Sequence, residues 1–231
     1  MRGHSPGYLR GIFKMKRQQV ALAVLAAIGS QAQAQDVYAG LGLPGLYTLG
    51  FSQPLSGRWG FRGEYATGLS VSGTGSDNGI NFDASLKASR AGVYADWFPF
   101  GGGFRFVGGL TANDIRFNFN SQSSGTASIN GNSVNMAGHY FNMSLRYPTA
   151  SPYLGVGYGH QASTKGLGFY ADVGVTYGSF TADVNTDLVG TSGSGGAISQ
   201  ADIDAQKQKM NDSLAGLRYL PSVSLGLVYR Y

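Results

Sequence analysis

Two sets of residues in this chain have types and spacing that bear on chemistry. The first is His160 and Ser163 in the run GHQAS. A serine nucleophile needs its base within ~2.6–3.2 Å. Residues three apart on a strand face opposite ways, so this spacing serves the pair badly and His160 reads as a turn histidine. The only other histidines are His4 and His139, and there is no cysteine. A zinc site would therefore need histidines and carboxylates alone. The run GGGF at 101–104 lacks the Lys-Ser/Thr of a phosphate loop. The Asp and Asn residues of 72–83 do not match a calcium-loop spacing. No catalytic residue, cofactor or metal site is expected.

The second set is charged. Arg58, Arg62, Glu64, Asp83, Lys87, Arg90, Asp96, Arg105, Arg116 and Asp172 fall on the polar faces of segments that alternate apolar and polar. If those faces enclose a narrow interior, charges of both signs should pair, because an unpaired buried charge is costly. A barrel of eight strands is just wide enough for side chains to fill it. The expectation is an ion-pair network that closes a lumen; the alternative is a narrow pore lined by arginines. Gly155, Gly157, Gly168 and Gly174 would leave room for large neighbours such as Tyr170, or for water.

The alternation that carries these charges is the period-two signature of strands. From 166, Leu167, Phe169, Ala171, Val173, Val175 and Tyr177 share one face. From 58, Trp59, Phe61, Tyr65, Leu69 and Val71 do so, and from 37, Val37, Ala39, Leu41, Leu43, Tyr47, Leu49 and Phe51. The apolar phase changes within 82–98 and 104–119, which predicts β-bulges near Ser89-Arg90 and Asn113-Asp114. The runs exceed the ~5–6 residues of ordinary strands and suit the ~9–11 that cross a bilayer. The fold class expected is all-β: a transmembrane antiparallel up-and-down barrel of about eight strands, with apolar residues outside and polar residues inside. A soluble sandwich or lipocalin-like barrel, with the polarity inverted, is the alternative.

Seven spans are distinct: 37–52, 57–71, 80–98, 103–120, 133–160, 166–181 and 221–231. An even number requires an eighth, from LPGL at 43–46 dividing the first span, from two strands in 133–160, or from 181–190. QPLSG at 53–57, PFGGG at 99–103 and QASTKG at 161–166 read as short turns. SGTGSDNG at 72–79 reads as a longer loop and Ile129-Asn130-Gly131-Asn132 as a hairpin tip. Within 199–217 one helix is expected. Ser199 and Asp202 form a capping box, and Ile203, Met210, Leu214 and Leu217 form its apolar stripe. It would pack at a barrel mouth, or serve as a plug or partner helix.

Residues 1–34 carry five bases and no acid, an apolar run from Val20 to Ile28, and Ala32-Gln33-Ala34. That is the layout of a signal peptide cut after Ala34, with 1–14 as an upstream extension before Met15. The remaining domain, 35–231, holds twelve bases and twelve acids. No basic excess is left to meet nucleic acid.

The runs ADWFPFGGGFRFVGGL (95–110), PYLGVGYGH (152–160), KGLGFYADVGVTYGS (165–179) and LPSVSLGLVYRY (220–231) resemble a family of small Gram-negative outer-membrane barrels, similar in plan to the OmpA and OmpW type. The resemblance implies a monomer in the cell outer membrane. Its partners would be outer-membrane lipid, lipopolysaccharide and the assembly machinery. That machinery would read Val223, Leu225, Leu227, Tyr229 and Tyr231 of the closing strand. It implies a structural or surface-interaction role, with a narrow channel for ionic or hydrophobic solutes as the alternative. A lipid A-modifying enzyme is a further alternative. The deacylases among such barrels carry His-x-Ser-Asn, whereas this chain has His-x-x-Ser without the Asn.

Overall fold

A computed structural model describes residues 36–231 apart from 78–79, 124 and 161–164. The strands are β1 (Asp36–Leu43), β2 (Tyr47–Pro54), β3 (Trp59–Asp77), β4 (Ile80–Trp97), β5 (Phe104–Ser123), β6 (Thr126–Ile129), β7 (Asn132–Asn135), β8 (His139–Arg146), β9 (Ala150–Tyr158), β10 (Gly166–Tyr177), β11 (Thr181–Thr186), β12 (Ser192–Gly193), β13 (Gly196–Ala197) and β14 (Tyr219–Arg230). The helix α1 (Gln200–Leu214) precedes β14. Hydrogen bonding runs β5-β4-β3-β2-β1-β14-β10-β9, and β9 returns to β5. Eight strands therefore close an antiparallel up-and-down ring, with no free edge in the ring itself.

The eighth ring strand comes from LPGL, whose turn divides the first span into β1 and β2. The span 133–160 also holds two long strands, and 181–186 is a strand, but β8 and β11 stay outside the ring. β5 pairs with β9 over Phe104–Ala112 and with β8 over Arg116–Ser123. β11 extends the sheet beyond β8. The barrel thus has a tall wall of β3, β4, β5, β8 and β11. The strands opposite stop near Leu43, Tyr47, Tyr177 and Tyr219. The run 72–77, expected as loop, is the upper part of β3.

The predicted bulges near Ser89-Arg90 and Asn113-Asp114 are absent. β4 and β5 stay in register from Phe82 to Trp97, through the pairs Ser89–Asp114 and Arg90–Asn113. The irregularity lies in β3, where Ala66 pairs with Arg90 but Leu69 pairs with Ala88. Thr67 and Gly68 therefore oppose the single residue Ser89. The apolar phase changes in β4 and β5 because the surroundings change at one level. Below it, the odd residues of β4 face out as Ala91, Val93, Ala95 and Trp97. Above it, the even residues turn Leu86 and Ala88 inward, while Ser85 and Lys87 face out. In β3 the apolar phase runs on across that level only because the bulge flips the strand, sending Leu69 inward.

The outer face of the lower ring is apolar and exposed, with Leu49, Val93, Leu110, Leu154, Phe169, Val173, Leu225 and Leu227 uncovered. Trp59, Trp97, Phe106, Tyr158 and Tyr229 edge it at the end where β1 begins and β14 ends. Tyr47, Tyr65, Tyr177 and Tyr219 edge it at the other. Val223, Leu225, Leu227 and Tyr229 all lie on this outer face, and Tyr231 follows the strand. Above the tyrosine edge sits a second core of Ile129, Val134, Met136, Leu188, Ile198 and Ile203. The β6–β7 hairpin turns at Asn130 and Gly131, both at positive φ. α1 starts at the Ser199–Asp202 capping box, ends at Leu214, and buries only Ile203. Leu217 lies beyond it and is exposed. The helix packs on β11 and β6 rather than entering the ring.

Candidate functional site

The lumen brings together six of the ten charges expected there. Arg62, Glu64, Arg90, Asp96, Arg105 and Asp172 are all buried. Each sits on the inward parity of its strand, so alternation alone aims them at one another. Arg62 Nε lies 2.6 Å from Asp96 Oδ2 and its NH1 3.2 Å from Asp172 Oδ2. Arg105 reaches Asp172 Oδ1 at 2.6 Å, Asp96 Oδ1 at 3.4 Å and the Gly159 carbonyl at 2.7 Å. Arg90 donates to Glu64 Oε1 at 3.1 Å and to Ser222 Oγ at 2.9 Å. Tyr38 donates to Glu64 Oε2 at 3.2 Å. Three guanidinium groups thus meet three carboxylates, and the layer is electrically balanced, as burial requires.

Tyrosines complete it. Arg62 stacks over Tyr94 at 5.1 Å and Arg90 over Tyr153 at 5.6 Å, while Tyr94 and Tyr153 meet edge to face. Tyr94 lies across Gly92 and Gly109, Tyr153 across Gly155 and Gly174, and Tyr170 across Gly40 and Gly226. A methyl on any of these glycines would overlap the tyrosine ring or its hydroxyl. Gly155 and Gly174 thus make room for Tyr153 rather than Tyr170, and Gly157 for the Arg105–Asp172 pair. Gly168 meets only Val228.

The other four charges lie elsewhere. Arg58 is exposed in the β2–β3 turn. Asp83, Lys87 and Arg116 face outward on the tall wall, and Arg116 pairs with Asp114 at 2.7 Å. Their strands keep phase past the apolar belt, so residues placed inside by assuming a bulge fall outside.

A cluster that sequence reading missed closes the end where the chain's first and last strands meet. Arg230 engages the Asp36 carboxylate through Nε and NH2. Ser52 donates to Asp36 Oδ2 at 3.0 Å. His160 Nδ1 is 3.3 Å from Ser52 Oγ and 3.6 Å from Asp36 Oδ2. The signal was present, since Asp36 and Arg230 end strands that turn out to be neighbours, but ring closure was needed to see it. Serine, histidine and aspartate are together, yet both oxygens crowd one ring nitrogen. A proton relay needs them on opposite nitrogens. The neighbouring cavity is about 10 Å³, the size of a single water. Ser163 lies outside the described residues, as do Ala32 and Ala34. Among the described residues, no three His, Asp or Glu side chains converge as metal ligands.

Above the ionic layer the lumen turns apolar. Ala88, Ile115 and Tyr147 are buried there with Leu69, Leu86, Phe180 and Leu220 against them. Tyr147 donates to the Thr176 carbonyl at 2.8 Å and meets Phe180 edge to face. An ionic layer and an apolar layer are therefore stacked across one narrow ring.

No protein-family model matches the chain, and no curated protein matches its sequence. Solved structures do match. Acinetobacter baumannii CarO2 is 20% identical over 87% of this chain and 100% of that one, with a TM-score of 0.58. Acinetobacter baumannii CarO is 18% identical over 85% of this chain and 97% of that one, with a TM-score of 0.56. What the chain shares with these two proteins at such identities is a fold, the antiparallel β-barrel with a ring of eight strands.

Proposed function

We propose that this protein is a bacterial outer-membrane β-barrel with a sealed lumen, acting through its outer surface rather than as a conduit. The plan is that of small OmpA- and OmpW-type barrels. The apolar belt between two aromatic edges is the outer surface that a bilayer selects. The 12-residue β10 matches the ~9–11 residues a crossing strand needs. The end with long excursions (β6 to β8, β11 to α1) is assigned to the cell exterior, and the short turns to the periplasm.

The observation that carries the sealed reading is the stacked pair of layers, with Arg105 at 0% and Arg62 at 2% exposure. A hydrated ion has no path past side chains that exclude water from their own charges. The proposal predicts a silent protein in a planar bilayer once heat-modifiable gel mobility shows that the barrel has formed. Discrete conducting steps that change when Arg62 or Arg105 is replaced by alanine would make it a channel.

A further inference from the structure

We infer that the upper edge of β3 docks an extended segment of another protein, which joins the sheet there as a further strand. The inference rests on the reading that this protein acts through its outer surface, and it names the kind of partner that surface takes.

β2 pairs with β3 from Gly60 to Thr67, and the LPGL turn packs against Ala66, Thr67 and Gly68. From Leu69 to Asp77, β3 pairs with β4 alone. Among the described residues, no backbone hydrogen bond reaches its other edge. Successive residues of a strand turn their N–H and C=O groups to alternate sides, so every second residue of 69–76 offers both groups to a newcomer. That stretch runs ~26 Å. Proteins blunt such edges with charge, proline, bulges or a covering element. Here the run LSVSGTGS carries neither charge nor proline, and the bulge lies below it. The far edge of the same wall is treated differently. Asn211 of α1 accepts from the Ala182 N–H at 2.6 Å and donates to the Ala182 carbonyl at 3.4 Å, and Lys207 holds Asp183. One edge of the wall is covered and the other is open.

The two faces of the edge and the space beneath it select the occupant. On the inner face stand Leu69 and Val71, the latter 57% exposed, and then Gly73 and Gly75. The Phe82 ring lies across Gly75 and stacks on Phe119 at 4.8 Å, which gives a bulky apolar side chain of an added strand an aromatic surface to cover. On the outer face Ser70, Ser72, Thr74 and Ser76 form a hydroxyl row. Beside it Thr74, Ser76, Asp83 and Asn120 line a groove of about 810 Å³. The fitting segment therefore alternates, apolar in one phase and hydroxyl-bearing or basic in the other. A second copy in the same membrane does not fit. Below Gly68 the same edge of β3 is filled by β2, and a second barrel would bring its own lower wall into that space. A segment with no barrel beneath it meets no such obstacle.

The test uses the refolded barrel in micelles and a fluorescent peptide of alternating valine and threonine with a lysine at each end, long enough to span the edge. Main-chain pairing tolerates sequence, so this peptide should bind. On binding, the amides of 69–76 should gain exchange protection at every second residue, because the others already bond to β4. An N-methylated twin of the peptide, and V71K/G73K, which aims charge inward along the edge, should each weaken binding at least about tenfold. Leu55→Lys in the β2–β3 turn at the opposite end should change nothing. Absence of binding at millimolar peptide, equal binding by the methylated twin or to V71K/G73K, or protection without the alternation would each overturn the inference. Edge protection that rises with protein concentration alone would assign the edge to a second copy and overturn it likewise. If V71K/G73K does not fold, the exchange pattern of the unaltered protein decides. Conducting steps in a planar bilayer would refute the sealed lumen and leave the docking result standing, which separates the two.

Discussion

At the scale of single residues, the lumen depends on charges that cannot be removed one at a time. Asp172 holds both Arg62 and Arg105. Replacing it by alanine leaves Arg62 and Arg105 to share the Asp96 carboxylate, one buried positive charge in excess, and breaking such a buried pair costs ~3–5 kcal/mol. Urea unfolding of D172A in detergent should show that loss, and the neutralising pair R105M/D172L should recover much of it. The tyrosine–glycine contacts make a second prediction. Gly92→Val puts atoms into the space of the Tyr94 ring, an overpacking cost of ~1–3 kcal/mol. Adding Tyr94→Ala should make the two effects clearly less than additive. The charges were legible in the sequence because alternation labels the polar face. The tyrosines were not, since Tyr65 and Tyr94 differ only in which face they occupy.

At the scale of elements, the bulge in β3 and the cap of α1 are the features with consequences. Gly68 sits in the bulge at φ +98°, where a side chain would also meet the Tyr47 ring. Gly68→Val should lower stability by ~1–3 kcal/mol, whereas Gly73→Ala, which meets open space, should be neutral. Chemical unfolding of the two variants checks this. At the helix start, the Ser199 hydroxyl, the Ser199 N–H and the Asn130 amide hold the Asp202 carboxyl down at about 2, from an ordinary 3.8. The folded state favours the carboxylate, so the cap's contribution is full above about pH 4 and is lost as the pH falls through 2. The protection factors of the Asp202 and Ile203 amides, measured against the intrinsic exchange rate at each pH, should fall across that window, and S199A should lower them already at neutral pH by removing the cap's side-chain acceptor. The capping box was readable because it is local. The bulge was misplaced because a phase change in hydrophobicity has two causes, an extra residue or a new environment, and pattern alone does not separate them.

At the scale of the molecule, ring closure and the unequal wall heights decide what the protein presents. The balanced lumen predicts electrical silence, a property of how strands lie beside one another. The sequence by itself determined the barrel class, the hairpin tip at Asn130-Gly131 and the helix cap. These are periodicities of two and local hydrogen bonds, written within a few residues. Only the tertiary structure decided that LPGL supplies the eighth strand, that β5 changes partner from β9 to β8, that Asp36 meets Arg230, and that Lys87 and Arg116 face out beside Arg146. The physical reason is that a strand's two faces are fixed by alternation, whereas which face turns outward or lines the lumen, and what it meets there, depends on its height in the barrel and on its neighbours.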